Sequence, residues 1–226
     1  MGDLERMRTT VSAAVSDKLR GDIIAGTFAF GARLKIDYLA ERYATSHMPV
    51  REALRILEAE GLVVNAANRG AHVRNITPEF VRSLFDVRTA MGAMLARRAA
   101  EQISPDDLAR LAAIEAELER RAALGDEAGV ETTNRAFHDL VEEAAGIPEA
   151  VQLANRHWGL FMWLWRRFNS DRERYPEMIS DHRHLLFALR RRDGDAAAVL
   201  MAAHATKACQ GILEKLGADD GRPDRP

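Results

Sequence analysis

At 226 residues, 47% of them hydrophobic and 29% charged, the chain is long enough for two domains with separate cores, and its composition excludes a disordered polymer. No run approaches the ~20 apolar residues of a membrane span and no charged-then-apolar leader is present, so no membrane partner is expected. The net charge of −2 excludes a protein that coats nucleic acid through a general positive field.

Charge is unevenly spread. Residues 1–76 hold 11 Lys/Arg against 9 Asp/Glu, and the remainder 21 against 25, so any DNA contact must rest on a few placed arginines. The single Cys209 cannot form an internal disulfide and sits in an alanine-rich stretch without a basic neighbour, which reads as an inert thiol in a reducing cytoplasm.

In chain order, Val11, Val15, Leu19 and Ile23 mark a first helix that ends at Gly26. A short second helix follows, with Asp37 as its expected cap and Leu39, Ala40 and Tyr43 pointing inward. The third helix has Ser46 as N-cap, Pro49 in its first turn and Gly61 as its stop. Its two faces differ in chemistry. Val50, Ala53, Leu54 and Leu57 form an apolar stripe, while His47, Arg51 and Arg55 stand at i, i+4 and i+8 on the other side. Arg51 is placed to reach a guanine O6/N7 edge and Arg55 a phosphate. Residues 62–64 and 71–73 read as two strands around a turn, with Arg69 at the tip aimed at a minor groove and Gly70 allowing the backbone to bend closely. Helix, turn, helix and wing in this order put one helix into the major groove of DNA.

The run from Leu19 to Val73 resembles the winged helix-turn-helix of GntR-type bacterial transcription regulators. The matching residues are Ile23-Ile24-Ala25-Gly26, Gly31-Ala32-Arg33-Leu34, Leu39-Ala40-Glu41, Ser46, Pro49-Val50-Arg51-Glu52-Ala53-Leu54, Leu57, Glu60-Gly61-Leu62 and Arg69-Gly70. The resemblance implies DNA-binding roles for Arg33, Ser46, His47, Pro49, Arg51, Arg55, Arg69 and Gly70. Asp37 stands where the family often has glutamate or asparagine, and His47 where it commonly has arginine; His47 in place of a base-reading arginine implies an altered operator preference.

From Thr77 onward the pattern predicts six helices, over 77–102, 104–124, 127–145, 149–169, 173–192 and 195–216, in an antiparallel bundle. The expected fold is therefore mainly α: a winged helix-turn-helix over 11–76 with a small β-hairpin, an all-helical effector-binding and dimerisation domain over 77–216, and a disordered tail over 217–226. The first ten or so residues are expected to be disordered as well. Trp158, Phe161, Trp165 and Phe168 make a core stripe on the fourth helix, while Met162 and Trp163 point elsewhere, toward a ligand cavity or a dimer partner.

Three histidines stand out by spacing. Asn134 and His138 lie one turn apart on the third bundle helix. His182 is 11 residues before Asp193 and His204 is 11 after it, so in an antiparallel pair both lie at the same height and can meet. A third imidazole with an amide or carboxylate would complete a metal site; each histidine alone also fits a hydrogen-bonded core position. Arg88, among apolar neighbours, suits a carboxylate ligand or a salt bridge.

Residues 80–214 resemble the FCD ligand-binding domain of the FadR subfamily in its six-helix, VanR-like form. The resemblance is carried by Leu84-Phe85-Asp86-Val87-Arg88, Asn134-Arg135-Ala136-Phe137-His138, His182 to Arg190, Asp193 and Ala203-His204. It implies a divalent metal ion, zinc or nickel, on Asn134, His138, His182 and His204, with Asn134 in the place of the family's aspartate, and an acidic effector on Arg88. The combined expectation is a cytoplasmic, homodimeric repressor that reads a pseudo-palindromic double-stranded DNA operator and responds to a small organic acid. A metal-dependent enzyme is the rival, but no HExxH-like acid or base accompanies the histidines, and catalysis leaves the DNA-reading segment unexplained. A DNA-binding module without a ligand is the other rival.

Overall fold

Hydrophobic periodicity of 3.6 dominates the chain, and a computed structural model, describing residues 3–66, 69–156, 158–168 and 172–219, folds accordingly into helices with one hairpin. Two compact units result: Met1–Thr77 with Arg156–Trp163, and Pro78–Asn155 with Leu164–Pro226.

In the first unit, α1 (Asp3–Ile24) buries Ser12, Val15, Ser16, Leu19 and Ile23. Val11 is 39% exposed, so the buried stripe begins one residue later than the periodicity suggested. The helix also starts inside the N-terminal stretch expected to be disordered, because residues 3–10 contain neither glycine nor proline to interrupt it. Helix α2 (Ile36–Arg42) buries Leu39 and Ala40. Its N-cap position is Lys35, with no side-chain bond; Asp37 lies inside the first turn, where its charge still complements the helix dipole. Helix α3 (His47–Ala59) buries Pro49, Val50, Ala53, Leu54 and Leu57. Ser46 takes the N-cap position by its backbone alone, and Gly61 leaves the helix at φ 81°.

The hairpin pairs β1 (Val63–Ala66) with β2 (Gly70–Val73) in antiparallel register, Val63 opposite Val73 and Ala66 opposite Gly70. Residues 67 and 68 of the wing loop lie outside the described residues. Arg33 bridges to His72, and Leu34 N–H donates to Ala71 O at 2.8 Å, so the segment before α2 runs along β2 as an additional edge. Arg20 ties α1 to the end of α3 with a two-pronged bond to Glu60 at 2.9 and 2.7 Å, and Asp22 accepts from Arg42 and Tyr43 at 2.9 and 2.8 Å.

The second unit comprises α4 (Pro78–Gln102), α5 (Pro105–Leu124), α6 (Glu127–Ala144), α7 (Pro148–Asn155), part of α8 (Trp158–Phe168), a 3-10 turn (Arg172–Arg174), α9 (Tyr175–Arg190) and α10 (Gly194–Asp219). Ser104 Oγ accepts from Asp107 N–H at 3.0 Å to start α5, and Asp126 accepts from Gly129 N–H at 2.9 Å to start α6. The single fourth helix expected over 149–169 is instead two. α7 has no fully buried residue whereas residues 160–165 are all buried, so the two halves answer to different environments. Trp163 is buried in the first unit with its ring edge-on to Phe30 at 5.1 Å, and so is a core residue of that unit.

α4 and α10 run antiparallel over small residues: Gly194 meets Arg97, and a Cβ added to Gly92 would lie 3.3 Å from Met201 Cγ. Leu95, Ala99, Leu111, Phe137, Leu189 and Ala197 lie in the same core. By length and composition alone α10 is apolar enough to cross a membrane, with mean hydropathy 1.2 over Gly194–Gly217, but it is a bundle helix packed along α4. It continues to Asp219, past the expected start of the tail at 217, because Ile212 and Leu216 keep its last turns buried; residues 220–226 lie outside the described residues.

Truncating the fully buried Leu57 should cost about 2–5 kcal/mol, while Arg55→Ala, on the opposite face of α3, should change stability by less than about 0.5 kcal/mol. Urea titration of both variants measures the contrast.

Candidate nucleic-acid interface and buried histidine cluster

With one side of α3 packed into the core, His47, Arg51 and Arg55 are all exposed on the other. Arg51 is central. It lines a groove of about 530 Å³ together with Arg33, Lys35, Arg55, Asn65 and Gly70, and also a second depression of about 760 Å³ with Ser46 and His47. The first groove therefore runs from the edge segment before α2, past α3, to the hairpin. Two of its neighbours carry countercharges: Arg55 pairs with Glu52 at 3.2 Å, and His47 Nε2 lies 3.2 Å from Asp37. Arg69 is exposed at the turn, its N–H donating to Ala66 O at 3.0 Å. Pro49 is buried in the first turn of α3, where it sets the helix start. Lys35 was missed by sequence reasoning; its place beside Arg33 becomes visible only once that segment pairs with β2.

In the second unit, α6, α9 and α10 bring His138, His182 and His204 together. Their ring centroids are 5.1–5.2 Å apart, and one ligand atom from each lies within 4.8 Å of the others. His138 and His182 are buried and His204 nearly so. The His182 ring stacks on Phe137 at 4.1 Å with an interplanar angle of 4°, which fixes its plane. Asn134, one turn before His138, is buried, and among the described residues its Oδ1 lacks a partner, as does His182 Nε2. His184, two residues from His182, is exposed.

Two carboxylates stand behind the imidazoles. Glu115 Oε2 lies 3.2 Å from His182 Nδ1, and Asp181 Oδ2 lies 3.3 Å from His204 Nδ1. Burial pushes the Glu115 carboxyl up to about 7. Asp181 is held below its ordinary value: burial alone would raise it, but hydrogen bonds from His204 and Lys207 outweigh that. Sequence reasoning missed both, although Glu115 stands between the buried Leu111 and Leu118 at positions i−4 and i+3, a signal that an acid shares an apolar face.

Arg88 is partly buried, and burial pushes its guanidinium down to about 10. It acts electrostatically on Glu142, Arg135, Asp139 and His138, so it shares the interior with the histidines. Around it, Arg135 donates to Asp139 at 2.7 Å and to Asn155 Oδ1 at 3.1 Å, and Asn155 Nδ2 donates to Glu142 at 3.0 Å.

Residues 11–73 match the family described as bacterial regulatory proteins, gntR family, and residues 83–207 match the FCD domain. The HTH-type transcriptional repressor GlaR of Escherichia coli (strain K12) is 31% identical over 198 residues, 82% of this chain and 88% of that one. The Galactonate operon transcriptional repressor of Escherichia coli (strain K12) is 27% identical over 210 residues, 82% and 90% of the two chains. Among solved structures, E. coli McbR/YncC has the same fold, with a TM-score of 0.70 at 22% identity over 91% of this chain and 98% of that one.

Burial holds His138 and His182 well below the ordinary imidazole value, with the neighbouring histidines adding to the effect. Both are therefore neutral in the folded state, while the unfolded chain takes up protons below about pH 6.5. Their contribution to stability is complete above that pH and is lost as pH falls through it, by up to about 1.4 kcal/mol per pH unit per histidine. Glu115 acts in the opposite sense between its ordinary 4.5 and about 7. His138→Gln should accordingly lose less stability than the parent between neutral pH and pH 5, measured by thermal unfolding of metal-free protein.

Proposed function

Because the chain belongs to the GntR family of bacterial regulatory proteins and carries an FCD domain, it is a DNA-binding transcription regulator and not an enzyme, and we propose that it is a repressor released from its operator by a small organic acid. The observation that carries the DNA half is the outward face of α3, where Arg51 lies at the meeting of two depressions and Arg33, Arg55 and Gly70 share the first of them. A helix so presented fits a major groove, with Arg51 set for a base edge and Arg55 for the backbone. Arg69 at the hairpin turn reaches toward the adjacent minor groove. One such helix reads few base pairs, so two copies act together on a pseudo-palindrome.

The effector half rests on the interior of the second unit. His138, His182 and His204, with the amide oxygen of Asn134, would hold a divalent ion such as zinc or nickel. The orphaned His182 Nε2 and Asn134 Oδ1 support this, since buried polar atoms rarely go unpartnered. When bound, the ion supplies a Lewis-acid anchor for a carboxylate. Arg88 supplies a second, charged anchor in the same interior, and the polar chain Arg135–Asn155–Glu142 orders its surroundings. An acid is favoured by this pair of anchors; one similar protein is named for a galactonate operon, and galactonate is itself an organic acid. Release is a population shift: weakening operator binding 100-fold needs about 2.7 kcal/mol of coupling between the two sites.

With a duplex selected from a randomised library as probe, Arg51→Ala should cost about 1–3 kcal/mol and flatten the preference at one position. Arg55→Ala should weaken all duplexes alike and reduce the salt slope by about one. Fluorescence anisotropy at several salt concentrations reads both; unchanged affinity for Arg51→Ala overturns the groove assignment.

Arg88→Ala should leave DNA affinity without effector unchanged while abolishing the stabilisation that an organic acid gives the parent protein. A thermal-shift panel of such acids, run with and without zinc, tests this.

A further inference from the structure

We propose that Glu115 and Asp181 are positioning residues for the histidine cluster: each holds one imidazole in the tautomer that aims Nε2 at a bound ion, and together they supply the negative charge that the ligands lack. This rests on the metal-binding reading above. Charge is the first constraint. Three neutral imidazoles and one amide would give a dication four donor atoms and no compensating charge, in an interior where His138 and His182 are both buried. Two carboxylates next to the cluster lie 3.2 Å from His182 Nδ1 and 3.3 Å from His204 Nδ1, which leaves Nε2 of each ring as the nitrogen not engaged by a carboxylate. A carboxylate accepting from Nδ1–H makes the opposite nitrogen a better donor to metal and fixes the ring's orientation.

The tautomer of His182 follows from its surroundings. Its Nε2 has no hydrogen-bond partner among the described residues. A proton there would be a buried N–H with nothing to receive it, a rarer arrangement than a bare acceptor. The proton therefore sits on Nδ1, donated to Glu115, and the Nε2 lone pair is left for an ion. Phe137, stacked on the ring, fixes its plane.

The two carboxylates are not equivalent. Asp181 also accepts from Lys207 at 2.7 Å, which neutralises part of its charge. Among the described residues no cation is bonded to Glu115: Arg183, next to His182, is engaged with Glu119 one turn further along α5 at 2.7 Å, and Glu115 Oε1 has no partner. Above neutral pH, where its carboxyl is ionised, Glu115 is thus the stronger of the pair.

The test uses the full chain stripped of metal and titrated at mildly alkaline pH, with cobalt(II) followed by its visible absorption and with zinc in competition with a chromophoric chelator. The parent should bind one equivalent. Glu115→Gln, which keeps an acceptor oxygen but loses the charge, should weaken binding about 10–100-fold. Asp181→Asn should weaken it less, and Glu117→Gln on the surface not at all. Separately, the imidazole nitrogen spectrum of metal-free parent protein, with His182 assigned by its loss in His182→Gln, should show the proton on Nδ1. Glu115→Gln binding as tightly as the parent, or a His182 proton on Nε2, overturns the inference while leaving the metal site standing. Failure of the parent to bind either ion stoichiometrically brings down the metal reading and the charge role with it. The tautomer measurement needs neither metal nor the Glu115 variant, so the positioning claim is decided even then.

Discussion

A helix with one face sealed under apolar cover has no freedom in where it sends the other. Val50, Ala53, Leu54 and Leu57 all lie at 5% exposure or less, and they fix α3 about its own axis so that Arg51 and Arg55 can only project outward. The orientation is not imposed by the arginines themselves, whose bonds to the rest of the unit are few and solvent-screened. It follows from the area that the apolar stripe removes from water, at about 25 cal/mol per Å². Binding specificity in such a unit is a by-product of core packing, and damage to the core is damage to recognition.

The helical unit presents the opposite economy. Its interior encloses imidazoles, an amide and two carboxyl groups among Leu, Ala and Phe, and several of their atoms lack partners. Each unsatisfied polar atom costs about 1–3 kcal/mol. A bundle of this size could have been filled with aliphatic side chains and would have been more stable. Stability withheld in this way becomes available to whatever ligand satisfies those atoms, which is the thermodynamic condition for a ligand to shift the behaviour of the protein.

How much of this was legible in the amino-acid order depended on the distance over which the cause acts. The two faces of α3 repeat within a few turns, so their chemistry can be read locally. The meeting of His182 and His204 was also readable, because equal spacing about Asp193 needs only the geometry of a helical hairpin. Glu115 escaped because its partner is 67 residues away. The same holds for the pairing of Arg33 with His72, which turns a connecting segment into a sheet edge and brings Lys35 into the groove. The break between α7 and α8 was hidden for another reason: the apolar pattern runs on, and only the change in what surrounds it divides the helix. The N-cap of α2 was misplaced by two residues because Asp37 suits both a cap and a first turn, and local chemistry alone does not separate them.

Gly92 carries a consequence larger than its size. It lets α10 lie close against α4 at Met201, three residues before His204. A Cβ there would crowd Met201 Cγ at 3.3 Å, so Met201 or the helix that carries it must give way by a few tenths of an ångström, next to the third imidazole. The affinity of the cluster for any ligand could thus drift over generations without a single change among the residues that would touch it, through the spacing of two helix backbones alone.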